Sequence, residues 1–387
     1  MTAAARLALV GPVLPYRGGI AQHTTMLHRA LQKRVELSTF SFTRQYPAWL
    51  FPGESDRDPG YAEQTEPGVR YLLDSLNPWT WRKVAAAALR ERPRALVIPW
   101  WAVYWAPCFW YLARAFARQR VPVLFFCHNV VEHESAPWKA VLTRAVLRQG
   151  SCFAVHTRVD ATNLASFLPG AQVAVHPHPV YDQFPPLIGT LAPRARLELL
   201  FYGFVRHYKG LDVLIEAMAR LETRDVLLTV AGEFWEGRER VEARVRELGL
   251  ANQVKIVPRY LTESETAECF TRADVVVLPY RSATGSGVVP IAYHYDKPVI
   301  ASRVGGLPDV VLEGETGLLV PPEDVCALAR AIDSLSRDRA RAMAPAIRRH
   351  KQNMTWDSLA STLLQLLGIC PSCEPVTGQR VGATRPL

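Results

Sequence analysis

A chain of 387 residues is too long for one ordinary core and suits two domains of roughly 150–200 residues. With 49% hydrophobic and 21% charged residues and no uncharged apolar run of about 18, it reads as neither a disordered chain nor a membrane-spanning one. The net charge of +9 calls for an anionic partner such as a nucleotide or a membrane surface. Nucleic acid fits poorly, because the basic residues are dispersed rather than interleaved with aromatics on one segment.

In the first half, apolar runs at 7–11, 35–40, 95–99, 121–127, 152–156 and 173–176 lack period-two alternation, as strands covered on both faces do. Helical stretches at 21–32, 79–90 and 139–148 lie between them. The opening residues read as a strand running into a glycine loop rather than a cleaved leader, which gives the expectation of a cytoplasmic protein. That loop, Gly18-Gly19-Ile20, opens a helix, so free N–H groups there suit an anion; a plain glycine turn is the competing reading.

After the third strand, Trp100, Trp101, Trp105 and Trp110 gather with Tyr104, Phe109 and Tyr111. Such a run is either a buried helix start or an acceptor pocket and membrane-resting lip, and the two are compatible. His128 ends the next strand, within His128-Asn129-Val130-Val131-Glu132-His133-Glu134. Imidazoles and carboxylates off a strand end suit acid–base work or a sugar hydroxyl. A polar loop explains Glu132 and His133 as well, and the spacing matches no helical HExxH metal motif. Cys127 and Cys152 sit in apolar runs, as reduced core thiols do.

Residues 186–196 break the alternation with proline, glycine and arginine and read as a linker. Strand-like runs resume at 197–203, 226–232, 254–257, 275–279 and 299–301. Two sets of βα repeats imply an α/β chain of two doubly wound, Rossmann-like domains, 1–185 and 197–352, facing across a cleft. An amphipathic closing helix within 353–370 and a tail, 371–387, expected to be disordered, complete the plan. The lone Cys370-Pro-Ser-Cys373 lacks a second ligand pair, so no metal site is read from it.

Two segments of the second domain could carry chemistry. A strand ends at Gly203 and a helix begins near Leu211, so Arg206 and Lys209 fall in a short loop off a strand's carboxyl end. Doubly wound domains bind phosphates there, and the two cations could neutralise a leaving diphosphate without a metal. Thr284-Gly285-Ser286-Gly287-Val288 also follows a strand and precedes a helix, leaving backbone N–H groups for phosphate oxygens.

The stretch from Lys209-Gly210-Leu211 through Pro298-Val299-Ile300-Ala301-Ser302, Gly305-Gly306-Leu307-Pro308-Asp309 and Thr316-Gly317-Leu318-Leu319-Val320-Pro321 resembles glycosyltransferase family 4, retaining sugar transferases of the GT-B fold. The resemblance implies a nucleoside diphosphate sugar as donor, and no metal or other cofactor is expected. The aromatic run and the positive charge lean towards a glycan or lipid-linked acceptor, with peripheral contact at the inner face of the membrane, and a small-molecule acceptor is the alternative. The resemblance puts Gly18, Gly19, Gly203 and residues 284–288 against the donor phosphates, and Pro258 and Arg259 against the base. Lys209 matches the diphosphate lysine, and His128 the histidine near the transferred sugar. Trp100, Trp101, Glu132 and His133 are the acceptor candidates. The family's two glutamates fall at Ala283 and Ile291, and its arginine at Phe204, with Arg206 two residues on. These departures leave a second reading open, a non-catalytic homologue that binds a sugar nucleotide or a partner protein.

Overall fold

The computed structural model describes residues 5–47, 55–61, 64–130, 137–186 and 191–369. Thirteen strands form two wholly parallel sheets. The first contains β1 (Arg6–Val10), β2 (Glu36–Arg44), β3 (Val69–Asp74), β4 (Ala95–Trp100), β5 (Val123–Cys127), β6 (Cys152–Val155) and β7 (Val173–Val175), in the order β3-β2-β1-β4-β5-β6-β7. The second contains β8 (Leu197–Tyr202), β9 (Val226–Ala231), β10 (Val254–Val257), β11 (Val275–Leu278), β12 (Val299–Ser302) and β13 (Gly317–Val320), in the order β10-β9-β8-β11-β12-β13. Each order reverses beside its first strand, between β1 and β4 and between β8 and β11. That is the switch point at which doubly wound sheets open a ligand crevice.

The sequence explains the central strands directly. All six residues of β4 and all five of β5 are buried, which matches their unbroken apolar runs. β3 was not expected from the pattern, because VRYLLD mixes charged with apolar residues at an edge of the first sheet and is only partly covered. β13, the four-residue GLLV at an edge of the second sheet, was read only as part of a motif. Helix starts are signposted locally. Asn77 accepts from the Trp79 amide with Pro78 in the first turn, and Thr262 and Glu265 close a reciprocal capping box.

Helix Trp356–Leu366 belongs by sequence to the end of the chain but packs on helix Gly19–Leu31 of the first domain. The Thr355 hydroxyl caps it by accepting from the Ser358 amide, and the Trp356 indole donates to the Val180 carbonyl at 2.8 Å. Its inner face, Leu359, Ala360 and Leu363, is wholly buried, in a core shared by Leu27 and Leu31 of the first domain and by the second domain's strands. Truncating Leu363 to alanine there costs about 2–5 kcal/mol. Among the described residues no helix is long and apolar enough to cross a membrane.

Candidate functional site

The second domain's site is built where β8 stops. Beyond Tyr202 the chain turns through a single 3-10 turn, His207–Lys209, and enters helix Leu211–Ala219 at Gly210. Gly210 has φ 66°, and a Cβ there would come within 2.0 Å of the Pro279 carbonyl oxygen. Only glycine lets this turn seat on the end of β11. Arg281, at the end of β11's own loop, fixes the turn by donating to the His207 carbonyl at 2.8 Å while paired with Asp212 and Glu323.

That scaffold carries the Lys209 ammonium inward, 8% exposed, until it lies against Gly203, where an added Cβ would be 3.0 Å from Nζ. Burial, and next the positive charge of Arg206, push its pKa down to about 8. No carboxylate figures among those influences, so the ammonium is a desolvated cation suited to an incoming anion. Arg206 itself is exposed and stacks its guanidinium 4.7 Å from the centre of the Trp235 ring. Arg206 and Lys209 therefore share the loop as expected but differ in role, one at the rim and one at the floor.

The other phosphate candidates converge on the same cleft. Gly18, with φ 98°, precedes helix Gly19–Leu31, and a Cβ at either glycine would meet nothing within 4 Å, so the loop faces open space. Across from it, in the segment 284–288, the Ser286 hydroxyl accepts from the Val288 amide, and Thr284 donates to Asn129 Oδ1 of the first domain at 2.6 Å. A Cβ on Gly287 would lie 3.9 Å from the Tyr181 hydroxyl, again from the first domain, and one on Gly285 3.8 Å from the Thr157 methyl. Pro258 and Arg259 follow β10, where the Arg259 guanidinium pairs with Glu265.

On the first domain's side the floor is made of histidine. His128 follows β5 and His156 follows β6; His178 lies three residues past β7, and His23 projects from helix Gly19–Leu31. Their rings meet at 4.5 Å (His23–His128), 5.0 Å (His23–His156) and 4.5 Å (His156–His178). His23 is buried and the other three are half-buried toward the cleft. Burial, reinforced by mutual repulsion, lowers the pKa of all four, His128 to about 3 and His178 to about 4. All four are neutral at physiological pH, so His128 is no ready proton donor.

Several residues that line or bridge the cleft had no counterpart in the sequence reading. Arg17 reaches across the cleft to Glu233 at 2.8 Å, and its guanidinium lies 5.7 Å from the ring centre of Phe204, the position of the displaced arginine. Tyr260 donates to Asp58 at 3.1 Å, and the Arg158 amide donates to Asp309 at 3.0 Å. All three join one domain to the other, and a contact between domains has no signature in local sequence. His156 and His178 did have a signal, the recurrence of histidine at or just beyond a strand's carboxyl end.

The acceptor expectation for Trp100 and Trp101 needs correction. Both lie in the first domain's core, Trp100 at 1% and Trp101 at 9% exposure, and the Trp101 ring is tilted against Trp105 and edge-on to Phe109. The run is a buried helix start because β4 extends to Trp100 and carries the next rings beneath helix Ala106–Arg118. The surface tryptophans are instead Trp79, Trp110 and Trp138, at 73%, 37% and 57% exposure. Glu132 and His133, the cysteines Cys370 and Cys373, and the tail 371–387 lie outside the described residues. Ala283 and Ile291 are both buried, Ile291 in the second domain's core.

Comparison with known proteins agrees with this geometry. Residues 17–184 match the model of Glycosyltransferase Family 4, and residues 190–353 that of Glycosyl transferases group 1. A D-inositol 3-phosphate glycosyltransferase of Streptomyces avermitilis is 33% identical over 211 residues, 50% of this chain and 45% of that one. The protein of the same name from Mycobacterium bovis is 30% identical over 275 residues, 64% of this chain and 56% of that one. The chain thus spans about half the length of the curated relatives it matches. Sucrose-phosphate synthase from Thermosynechococcus elongatus superposes with a TM-score of 0.70 at 22% identity, covering 94% of this chain and 98% of that one. Anabaena HepE in complex with UDP and glucose superposes with a TM-score of 0.70 at 16% identity, covering 94% and 99%. These likenesses establish a fold of two facing Rossmann-like domains, the GT-B architecture.

Proposed function

The chain belongs to glycosyltransferase family 4, and from that premise we propose that it moves a sugar from a nucleoside diphosphate donor to an acceptor hydroxyl with retention at the anomeric carbon. The observation that carries this reading is Lys209, a buried ammonium held at a strand end against Gly203, with no carboxylate paired to it among the described residues. In the proposed reaction the bond from the anomeric carbon to the diphosphate oxygen breaks as the acceptor oxygen bonds to that carbon. The acceptor proton passes to the departing phosphate. Negative charge then builds on the diphosphate beside Lys209, where low dielectric strengthens the attraction, and Arg206 adds a second cation from the rim. Two cations placed in this way replace the work a metal would do at the diphosphate.

The contacts between the domains support a closed working state. Arg17–Glu233, Thr284–Asn129 and Tyr260–Asp58 tie one domain to the other, and domains held together in this way would keep water from hydrolysing the bound donor.

A membrane-facing role fits the first domain. Trp79, Trp110 and Trp138 stand on three helices that pack side by side, Pro78–Arg90, Ala106–Arg118 and Pro137–Leu147. Each has a basic neighbour against its ring, Arg82, Arg114 and Lys139 respectively. Indoles flanked by cations suit the interface of an anionic bilayer, and this supports a lipid-linked acceptor over a free small molecule.

A thermal-shift screen against UDP, GDP, ADP, TDP and CMP tests the donor site. One nucleoside diphosphate should raise the melting temperature of the wild type by mass action and leave Lys209→Ala unmoved. An equal shift in both proteins would remove Lys209 from the site. Donor binding with neither transfer nor hydrolysis across many acceptors would favour a sugar-nucleotide binder, the reading that apolar Ala283 and Ile291 keep open.

A further inference from the structure

Three imidazoles on the floor of the cleft, His23, His156 and His178, carry nitrogens that all lie within 4.8 Å of one another. They come from three separate segments, helix Gly19–Leu31 and the ends of β6 and β7, so no local repeat explains their meeting. His156 Nδ1 donates to the His176 carbonyl at 3.0 Å, and His178 Nδ1 donates to the Pro179 carbonyl at 2.8 Å. A carbonyl can only accept. The proton of each ring is therefore fixed on Nδ1, and each Nε2 presents a lone pair, which is how metal-binding histidines are oriented by the groups behind them.

The lone pair of His156 Nε2 meets no donor, and His23 Nε2 beside it is likewise buried without a hydrogen-bond partner on a ring only 1% exposed. His178 Nε2 faces the Tyr181 hydroxyl at 3.2 Å, but that hydroxyl also lies 3.4 Å from the Gly19 carbonyl and has one proton for the two. His128 stands beside the trio, its ring 4.5 Å from His23 and 5.5 Å from His156, with its Nε2 likewise unpartnered. An anion in this place would require charged rings, and imidazolium ions at such spacing would repel one another.

We propose that His23, His156 and His178 bind a borderline divalent cation of the zinc type, with His128 at the fourth corner. All the donors are nitrogen, which suits zinc and not magnesium or calcium. Zinc–nitrogen bonds of about 2.0–2.1 Å put tetrahedral ligand atoms about 3.4 Å apart, so nitrogens that now lie within 4.8 Å of one another need to close by at most about 1.4 Å. The ring centres of the trio, 4.5–5.3 Å apart, already match rings gathered round one ion. With His178 Nε2 on the metal, the Tyr181 hydroxyl turns to the Gly19 carbonyl and couples the ion to the glycine loop. The site does not depend on the proposed transferase reaction, since it is a statement about metal binding alone.

The test uses untagged full-length protein, dialysed against a chelator and then titrated with Zn2+ alone. One zinc per chain should be retained through gel filtration, measured by elemental analysis, with a raised melting temperature. His156→Ala combined with His178→Ala should weaken binding by roughly a hundredfold or more, and Cys370→Ser with Cys373→Ser should leave it unchanged. No retained zinc, undiminished binding in the histidine variant, or loss in the cysteine variant would each overturn the proposal. If the histidine variant does not fold, Co2+ in the wild type decides. A tetrahedral visible spectrum without thiolate charge-transfer bands supports the site, and thiolate bands or an octahedral spectrum refute it.

Discussion

Arg17 of the first domain and Glu233 of the second form an ion pair at 2.8 Å, with their side chains only 4% and 13% exposed. Neither residue belongs to a helix or strand, yet the pair spans the mouth of the cleft next to Gly18 and the 203–209 loop. The Arg17 guanidinium also lies 5.2 Å from the ring centre of Tyr260, whose hydroxyl donates to Asp58 of the first domain. A buried pair of this kind is poorly justified by stability alone, because desolvation offsets most of its attraction. Its place between the domains makes it a latch for the closed state.

Glu233→Gln leaves the Arg17 charge without its partner, and opening of the cleft returns that charge to water. The variant should therefore keep a melting temperature within a few degrees of wild type and lower kcat/KM for transfer by roughly ten- to a hundredfold, the equivalent of about 1.4–3 kcal/mol. Small-angle scattering should show a larger radius of gyration with bound nucleotide than the wild type has. A double-mutant cycle with Arg17→Ala should find the two losses strongly non-additive. Additive losses would mean that the pair does not act as a latch.

Gly19→Ala separates binding from folding. Gly19 is the first residue of its helix, without a left-handed φ, and its missing Cβ would meet nothing within 4 Å. Alanine there should leave stability unchanged or raise it by about 0.4–1 kcal/mol, since it restricts the unfolded chain. The added methyl would enter the space in front of the loop, so the donor KM should rise about tenfold or more. An unchanged KM would show that no ligand approaches this backbone closely.

The fold was legible because parallel strands are buried on both faces, and ten or so unbroken apolar runs such as Ala95–Trp100 and Val275–Leu278 need no context. β3 and β13 were not, since VRYLLD carries charge on a partly covered edge and GLLV is four residues that open on a glycine. In the candidate site, the place of Lys209 in a loop off a strand end was readable from the strand-loop-helix spacing, as Gly210 marks the turn. Trp100 misled because an aromatic run looks the same whether it is covered by a helix or by a substrate. Arg17 and His23 were not readable, since what places each of them in the cleft is a partner more than a hundred residues away.

The membrane surface gives a prediction that does not involve catalysis. Vesicles containing anionic phospholipid should sediment the wild type, and vesicles of neutral lipid should not. Trp79→Ala with Trp138→Ala should reduce binding at least tenfold while preserving nucleotide-induced stabilisation, because both side chains are exposed and remote from Lys209's loop. High salt should weaken binding further by screening Arg82, Arg114 and Lys139. Equal binding to neutral vesicles would point to a purely hydrophobic contact and against the role given to these cations.

The pH dependence of donor binding follows from the burial of Lys209. Its pKa is pushed down from 10.5 to about 8, chiefly by desolvation and then by Arg206. Below about pH 8 the ammonium is charged in both the folded and the unfolded chain, and its burial penalty is fully present. Between about 8 and 10.5 the unfolded chain keeps a proton that the folded one releases, so this residue's contribution to stability rises with pH. Donor affinity should run the other way. A diphosphate needs the charged form, so calorimetric affinity for the preferred nucleoside diphosphate should be level from about pH 7 to 8 and then fall towards tenfold per pH unit. Lys209→Arg keeps its charge throughout this range, so whatever affinity that variant retains should lose the alkaline step. A wild type whose affinity stays flat through about pH 9.5 would show that the buried ammonium does not hold the diphosphate.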